Sequence, residues 1–354
     1  MCDRHPIQCV IPPYLADQLA KSDDPKLRDL GLASKASQAR FRAMRTLSSA
    51  MPRMMAVPSP AGNKHRLVYT ADGNDQIPGK LVRSEGQKKS KDKAVNEAYD
   101  GAGKTYDFYD SVFGRNSLDD AGMKLISSVH VGEEDLDGKM GPMSNAFWNG
   151  EQMAYGDGDG EVFKRFTLSL DVIGHELTHG VVSFTSNLEY RAQPGALNEH
   201  FADVFGILVR KWANRTKKKK DTDWLIGREL WAINSTKLRG IRDMENPGTA
   251  YDHPDIGKDP QPAHMDKYYK GMGDNQGVHI NSGIPNRAFV LVAKALGGHP
   301  WEKAGRIWYD TLRQLTEASK FADAKRVSVQ VASGTFGSPA GTAVANAWKS
   351  VGVV

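Results

Sequence analysis

The sequence contains very little cysteine: Cys2 and Cys9 are the only two in 354 residues, and both lie close to the N-terminus. Disulfides therefore cannot organise the bulk of the chain, and a metal site beyond Cys9 has to use histidine, aspartate or glutamate. No apolar run approaches the roughly 20 residues that a membrane-spanning helix needs. The first residues also lack a basic stretch followed by an apolar one, so we expect no conventional signal peptide there.

The excess of positive charge is also small, +5 in formal terms, and part of it lies in lysine-rich runs at residues 88–93 and 217–220. A nucleic-acid-binding surface would need basic residues on one face with aromatic residues between them. These runs lie among polar and turn-forming residues, so we interpret them as solvated loops. We expect neither nucleic-acid nor membrane partners.

Composition changes along the chain and indicates four parts. The start combines the stiff stretch VIPPYL with two amphipathic patterns that break near Pro25, which predicts a small helical unit. A proline- and glycine-containing stretch without periodicity follows and is typical of a linker open to proteolysis. Short strand patterns with turns then occupy residues 64–165, and apolar spacing becomes helical from residue 167. The expected parts are residues 1–50, 51–63, 64–185 and 186–354.

The stretch HELTH at residues 175–179 carries two histidines four positions apart. On a helix, His175 and His179 lie on one face and can direct two imidazoles at one ion. Glu176 can reach a water bound to that ion. This arrangement is typical of a zinc site with a general base. The alternative is a surface helix that carries two histidines by chance.

A second helical stretch, GALNEHFADVFG, places Glu199 and Asp203 four residues apart. A catalytic zinc needs a third protein ligand, which Glu199 can supply, and keeps a fourth position for water. Asp203 can accept the remaining N–H of a zinc-bound histidine. The alternative is an acidic stripe on a solvated helix, although Asp203 lies in an apolar stretch. In GDNQGVHINSG, His279 can donate to a developing oxyanion, with Asp274 to orient it.

These segments, in this order, resemble the thermolysin-like neutral metalloendopeptidases. The resemblance covers about residues 60–354 and runs through NAFWNGEQMAYGDGDG, DVIGHELTHGVV, GALNEHFADVFG, IRDMENP, GDNQGVHINSGIPNRAF and ANAWKSVGV. The short leader with VIPPYL resembles the propeptide of the protealysin-type subgroup. The resemblance implies an α+β, two-lobed fold: a β-rich N-terminal lobe, a mainly helical C-terminal lobe, a zinc site in the cleft between them and a small helical prodomain.

The resemblance also implies an activity, that of a zinc endopeptidase made as a self-processing zymogen, with protein and peptide substrates. It makes His175, His179 and Glu199 the ligands of one Zn²⁺ per chain, Glu176 the base that activates water, and Asp203 the support of His175. Residues 1–50 become a propeptide that inhibits its own chain, and a monomer is expected. Secretion without a conventional signal peptide is expected, with a cytoplasmic zymogen as the alternative.

Further roles follow from the same resemblance. Tyr190 and His279 would hold the oxyanion, with Asp274 behind His279. An apolar pocket would receive a bulky side chain directly after the cleaved bond. The substrate backbone would be bound by Asn145, Ala146 and Arg242, and the pocket would be lined by Phe163, Phe166, Val172, Ile226 and Ile241.

The sequence departs from the family at the double calcium site beside the active-site helix. Asp171 and Asp223 remain, but Arg210, Leu225 and Arg228 stand where the family has acidic ligands. Two guanidinium groups can neutralise the remaining carboxylates without an ion. We therefore expect the double calcium site to be absent.

Three rival functions and two modes of inhibition remain open at this point. A zinc aminopeptidase would need an acidic anchor for a free amino terminus. A catalytically idle binding protein would be expected to have lost at least one of Glu176, Tyr190 and His279, and all three are present. A nucleic-acid-binding protein is the weakest rival. Inhibition could come from a thiolate of Cys2 or Cys9 that ligates the zinc. Alternatively, VIPPYL could wedge into the substrate cleft without touching the metal.

Overall fold

The N-terminal lobe is built on a mixed sheet. The computed structural model describes residues 8–36 and 63–354, apart from residues 136 and 219. Cys2 and the linker lie outside the described residues, so the predictions about them are not addressed by the structure. The strands lie in the order β1-β6-β7-β4-β2-β3, with β5 paired to β4. Their bounds are β1 Gln8–Cys9, β2 Arg66–Thr70, β3 Lys80–Ser84, β4 Leu125–Glu134, β5 Met140–Pro142, β6 Ala146–Trp148 and β7 Met153–Gly156.

Strand β6 would be an edge strand without the leader. β6 and β7 form an antiparallel pair, and β7 runs parallel to β4. β1, which comes from the leader, pairs antiparallel with the free side of β6. The leader continues into helix α1, Pro13–Leu19, and a second helix, α2, covers residues 25–36.

A long helix, α3, occupies Lys93–Phe113, where the sequence pattern predicted only short strands and turns. That prediction was wrong because two glycines interrupt the helical pattern, and both are needed for packing against residues that are distant in the sequence. A Cβ at Gly101 would lie 2.4 Å from the Cδ1 atom of Ile173, and one at Gly103 would lie 2.2 Å from a guanidinium nitrogen of Arg66. The glycines let α3 pack closely, at some cost in helix propensity.

Helices α4, Leu170–Ser183, and α5, Ala192–Ala213, cross at very close range. A Cβ at Gly174 would lie 3.1 Å from Gly206 Cα, and one at Gly206 would lie 2.5 Å from the carbonyl oxygen of Asp171. Only glycine at the crossing allows this approach. It brings side chains from the two helices to one point.

The C-terminal lobe is mainly helical, which confirms the predicted fold class. One helix, α9, had not been expected. Short strand pairs join α5 to the later helices: β8 Leu225–Ile226 with β9 Arg242–Asp243, and β10 Asp252–His253 with β11 Gly257–Lys258. The later helices are α6 Gly273–Asn281, α7 Gly283–Leu296, α8 Lys303–Leu312, α9 Phe321–Phe336 and α10 Ser338–Ser350. Within the described ranges, none of the helices is both long and apolar enough to span a bilayer.

Candidate active site

Three buried side chains from α4 and α5 converge where the helices cross. The Nε2 atoms of His175 and His179 lie 3.0 Å apart. Glu199 Oε2 lies 3.5 Å from His175 Nε2, and Glu199 Oε1 lies 3.4 Å from His179 Nε2. A tetrahedral zinc with bonds of about 2.0–2.1 Å sets its ligand atoms about 3.3–3.4 Å apart. The Oε2 atom of Glu199 has no hydrogen-bond partner in its buried position. The residues therefore fit a metal ion.

The other nitrogens of the two rings fix their tautomers. His179 Nδ1 donates to Asn198 Oδ1 at 2.8 Å, and Asn198 is itself held because its amide donates to the carbonyl of Leu188. His175 Nδ1 lies 2.9 Å from Asp203 Oδ1. Each Nε2 lone pair is thus free for a metal. Burial and the neighbouring His175 hold the pKa of His179 well below its usual range, which keeps its ring neutral.

Asp203 binds Arg242 as well as facing His175. Arg242 Nε and Nη2 donate to the carboxylate at 2.9 and 2.8 Å, and both side chains are fully buried. Burial alone would raise the pKa of Asp203, but Arg242 and His175 outweigh it and hold that pKa well below its usual range. The sequence had assigned Arg242 to the substrate alone, so its pairing with Asp203 is a second role.

Glu176 lies beside the metal cluster on α4. Its Oε2 accepts from the backbone N–H of Trp148 at 3.0 Å, whereas its Oε1 has no hydrogen-bond partner. Burial and the negative charge of Glu199 raise the pKa of Glu176 well above its usual range. A carboxylate with a raised pKa and an unpartnered oxygen is suited to accept a proton and pass it on.

His279 and Tyr190 both lie next to Glu199 of the cluster. Asp274 lies in a turn of left-handed backbone at the start of α6, and its φ is 54°. Its carboxylate lies 2.5 Å from His279 Nδ1 and accepts from the backbone N–H of His279 at 2.8 Å. Burial disfavours a charged His279, but Glu199 and Asp274 raise its pKa to about 9, so Nε2 carries a proton. Tyr190 donates to Glu199, and its Oη lies 3.2 Å from His279 Nε2.

The leader lies along β6 in this cleft. β1 pairs Cys9 with Phe147, and the N–H of Val10 donates to the carbonyl of Ala146 at 3.3 Å. The N–H of Ile11 donates to Asn145 Oδ1 at 3.3 Å. Two residues predicted to bind substrate backbone therefore bind the backbone of the leader.

Two further groups hold the carbonyl oxygens of the leader. Arg242 Nη1 donates to the carbonyl of Val10 at 3.0 Å, and His279 Nε2 donates to the carbonyl of Cys9 at 3.0 Å. Among the described residues, the group of possible metal ligands is His175, His179 and Glu199, and Cys9 is not part of it. Cys9 contacts the site through its carbonyl oxygen.

The five predicted pocket residues are buried in one continuous apolar cluster, which also includes Val10 and Leu15 of the leader. The rings of Phe163 and Phe166 lie 5.8 Å apart. The predicted pocket residues, all buried, are Phe163, Phe166, Val172, Ile226 and Ile241.

Family profiles match most of the chain. The profile described as "Thermolysin metallopeptidase, catalytic domain" matches residues 60–183, and "Thermolysin metallopeptidase, alpha-helical domain" matches residues 186–353. The chain belongs to the thermolysin family. It is therefore a metallopeptidase, a hydrolase that acts on peptide bonds.

Several members of the thermolysin family are similar to the chain over much of its length. An "Extracellular metalloprotease" of Pectobacterium carotovorum subsp. carotovorum is 45% identical over 98% of this chain and 97% of the relative. "Protease PrtS" of Photorhabdus sp. (strain Az29) is 49% identical over 82% of this chain and 76% of the relative. A "Thermolysin" of Alicyclobacillus acidocaldarius subsp. acidocaldarius is 37% identical over 81% of this chain and 51% of the relative.

A solved structure extends the similarity to the leader. The "Precursor of Protealysin, Metalloproteinase from Serratia proteamaculans" has a TM-score of 0.86 and 45% identity, covering 98% of this chain and 100% of that chain. The match includes the part that precedes the two family domains. The protein is thus a thermolysin-family zymogen with a propeptide.

Arginine fills the region where the thermolysin family was expected to bind calcium. Arg210 donates to Asp171 at 2.5 Å, to Asp223 at 2.7 Å and to Asp221 at 2.9 Å, as well as to the carbonyl of Leu225 at 2.6 Å. Arg228 also donates to Asp223. Asp221 was not among the residues predicted for this region, although its Asp-x-Asp spacing with Asp223 is visible in the sequence.

A buried chain of hydrogen bonds behind Asp203 was also missed. Trp308 Nε1 donates to His200 Nε2 at 2.7 Å, and His200 Nδ1 then donates to Asn286 Oδ1 at 2.7 Å. Asn286 Nδ2 donates to Asp203 at 2.9 Å. These residues come from three helices, so no local sequence pattern could have found them.

Proposed function

We propose that the protein is a zinc endopeptidase that cuts before bulky apolar residues and whose leader blocks the substrate cleft until it is removed. The convergence of His175, His179 and Glu199 at near-tetrahedral separations carries this proposal. Zinc held by these residues would polarise the scissile carbonyl and lower the pKa of a bound water toward neutrality.

The protein's own groups supply the remaining chemistry. Glu176 takes the proton of the attacking water and delivers it to the leaving amine. His279 and Tyr190 donate to the oxyanion as it forms. Loss of one such donor should lower kcat roughly a hundredfold to a thousandfold. Asp203 and Asn198 hold the two histidine rings, and Asp274 holds His279.

Substrate recognition follows from backbone contacts and the apolar cluster. Asn145, Ala146 and Arg242 bind an extended backbone as an added strand on β6. The buried apolar residues around Phe163 and Ile241 suit a bulky apolar side chain after the cut. The aminopeptidase alternative gains no support, since the leader continues along β6 on both sides of the carbonyl that contacts His279, with Gln8 paired to Trp148 before it and Ile11 bound to Asn145 after it.

The leader inhibits as a wedge in this proposal. Its backbone uses the hydrogen-bonding groups that a substrate would need, and the contact with His279 comes from the carbonyl of Cys9. This supports the wedge over a latch in which a thiolate ligates the metal. We expect self-processing between about residues 48 and 57, in a stretch outside the described residues.

The proposal includes a reduced dependence on calcium. Arg210 already contacts three carboxylates and a carbonyl in the region where related enzymes were expected to hold the ion pair. Its positive charge opposes a divalent cation at the same place. We therefore propose that the double calcium site is absent.

We further propose that the protein is secreted without a conventional signal peptide and acts as a monomer. Support for secretion comes from the relative in Pectobacterium carotovorum, which is named an extracellular metalloprotease. A cytoplasmic zymogen is the alternative. Fractionation of producing cells and their medium separates the two.

The direct test is digestion of a casein-type protein by purified full-length protein, with and without a zinc chelator. The proposal expects digestion after self-processing, its loss with chelator and its return on adding zinc. N-terminal sequencing of the chain's own products locates the processing site. Proteolysis that persists with chelator and without bound metal would contradict the proposal.

A further inference from the structure

We infer that the Cys9–Val10 peptide bond lies in the position of the bond to be cut, and that the protein hydrolyses this bond within its own chain. The inference rests on the proposed function and adds a specific substrate bond to it. His279, the proposed oxyanion donor, donates to the carbonyl of Cys9, and Arg242 donates to the carbonyl of Val10. These contacts hold two consecutive peptide units, and the first of them, Cys9–Val10, has its carbonyl at the proposed oxyanion donor.

The direction of the leader is that of a substrate. The carbonyl that faces His279 belongs to the residue before the bond, and the residue after the bond donates its N–H to Ala146. One residue further on, Ile11 donates to Asn145. A leader bound in the opposite direction would not present its carbonyls in this order. The leader thus crosses the reacting centre, with Cys9 before the bond and Val10 and Ile11 after it.

The side chain of Val10 agrees with the same register. Val10 is fully buried in the main apolar core, the large cluster that also contains the proposed pocket residues. A valine after the bond satisfies the preference for an apolar residue at that position. The backbone contacts and the contact with His279 therefore assign the same bond, and the burial of Val10 is compatible with it.

The reaction is an ordinary hydrolysis. Water adds to the carbonyl carbon of Cys9, the C–N bond to Val10 breaks, and Glu176 transfers a proton from the water to the nitrogen of Val10. The second proton of the water also moves to this nitrogen, so the products are a carboxylate on Cys9 and an ammonium group on Val10. No oxidant, reductant or other reactant is needed.

The cut should not release the rest of the leader. Leu15 and Leu19 of α1 are buried in the main apolar core. These contacts remain when residues 1–9 leave, so the shortened leader continues to cover the cleft beyond the cut bond. We expect the shortened chain to stay latent until a second cut in the linker.

The test follows full-length protein, prepared with a chelator, after addition of zinc. Intact-mass measurement should show loss of residues 1–9, with a new N-terminus that reads Val-Ile-Pro-Pro. The first-order rate should not change when the protein is diluted, because the cut is intramolecular. Val10→Asp places a charge in the apolar pocket and should slow this cut about tenfold or more, whereas the matched variant Val10→Leu should retain it.

A second measurement does not depend on turnover. In Glu176→Gln protein, the amides of Val10 and Ile11 should be protected from hydrogen exchange, because both donate hydrogen bonds in the cleft. Rapid exchange of both amides would overturn the register. A matured enzyme that digests casein while every full-length chain keeps the Cys9–Val10 bond would overturn the inference and leave the proposed function standing. Failure to digest casein with zinc present would instead overturn the proposed function.

Discussion

Arg210 is the centre of a buried charge cluster, and its removal gives a sharp stability prediction. Its guanidinium contacts Asp171, which is fully buried, and also Asp221 and Asp223. Among the residues that the structure describes, Arg210→Ala would leave these carboxylates with Arg228 and Lys211 as cationic partners. The Arg228 side chain is one-third exposed and contacts Asp221 and Asp223 but not Asp171, so Asp171 loses its cationic partner.

The magnitude follows from burial. Removal of one partner of a buried ion pair costs about 3–5 kcal/mol, because a charge remains without compensation. For a domain of a few hundred residues, each kcal/mol lowers Tm by roughly 2–4 °C, which predicts a fall of about 10 °C. Arg210→Lys keeps the charge but offers three N–H donors in place of the five-donor planar fork that contacts three carboxylates and a carbonyl, so an intermediate loss is expected.

The assay is thermal unfolding in a Glu176→Gln background, which prevents self-digestion. Arg313→Ala is the matched control, since this arginine is 60% exposed and lies 3.8 Å from Asp310, a surface pair worth at most about 1 kcal/mol. Millimolar calcium should change the Tm of the unsubstituted protein little. An Arg210→Ala protein as stable as the control, or a Tm that rises by tens of degrees with calcium, would refute the reasoning.

Three further outcomes are expected. Hydrogen bonds to Asp157 and Asp92 outweigh burial and raise the pKa of His130 from 6.5 to about 9. The stabilising effect of the protonated ring is therefore full below pH 6.5 and lost as the pH rises through 9. In a plot of Tm against pH, the unsubstituted protein should show a fall over this range that is absent in His130→Gln. Replacement of Cys2 and Cys9 with serine should leave latency unchanged; activity without cleavage would instead support a thiolate latch. A peptide library should show bulky apolar residues directly after the cut, and a preference for charged residues there would contradict the apolar pocket.

The metal cluster could be predicted because it depends on the spacing of residues within single helices. His175 and His179, like Glu199 and Asp203, are four residues apart on single helices, and helical spacing alone puts each pair on one face. The structure adds the glycine crossing of Gly174 with Gly206, which brings the two faces together. The predicted grouping of His175, His179 and Glu199 depends on this crossing.

Features that depend on distant contacts could not be predicted in the same way. Helix α3 was missed because Gly101 and Gly103 weaken its local signal, and only packing against Ile173 and Arg66 explains them. The pairing of Arg242 with Asp203 joins residues 39 positions apart. Such contacts have no period in the sequence, so tertiary structure was needed to find them.

The most direct test of the account is the substitution Glu176→Gln, with zinc content and casein digestion measured on the same preparation. Glutamine keeps the shape of the side chain and leaves the three metal ligands in place, but it cannot accept the proton of the attacking water. The account predicts a single bound zinc per chain and no proteolysis. A protein with a single zinc and proteolysis near that of the unsubstituted enzyme would contradict the central claim.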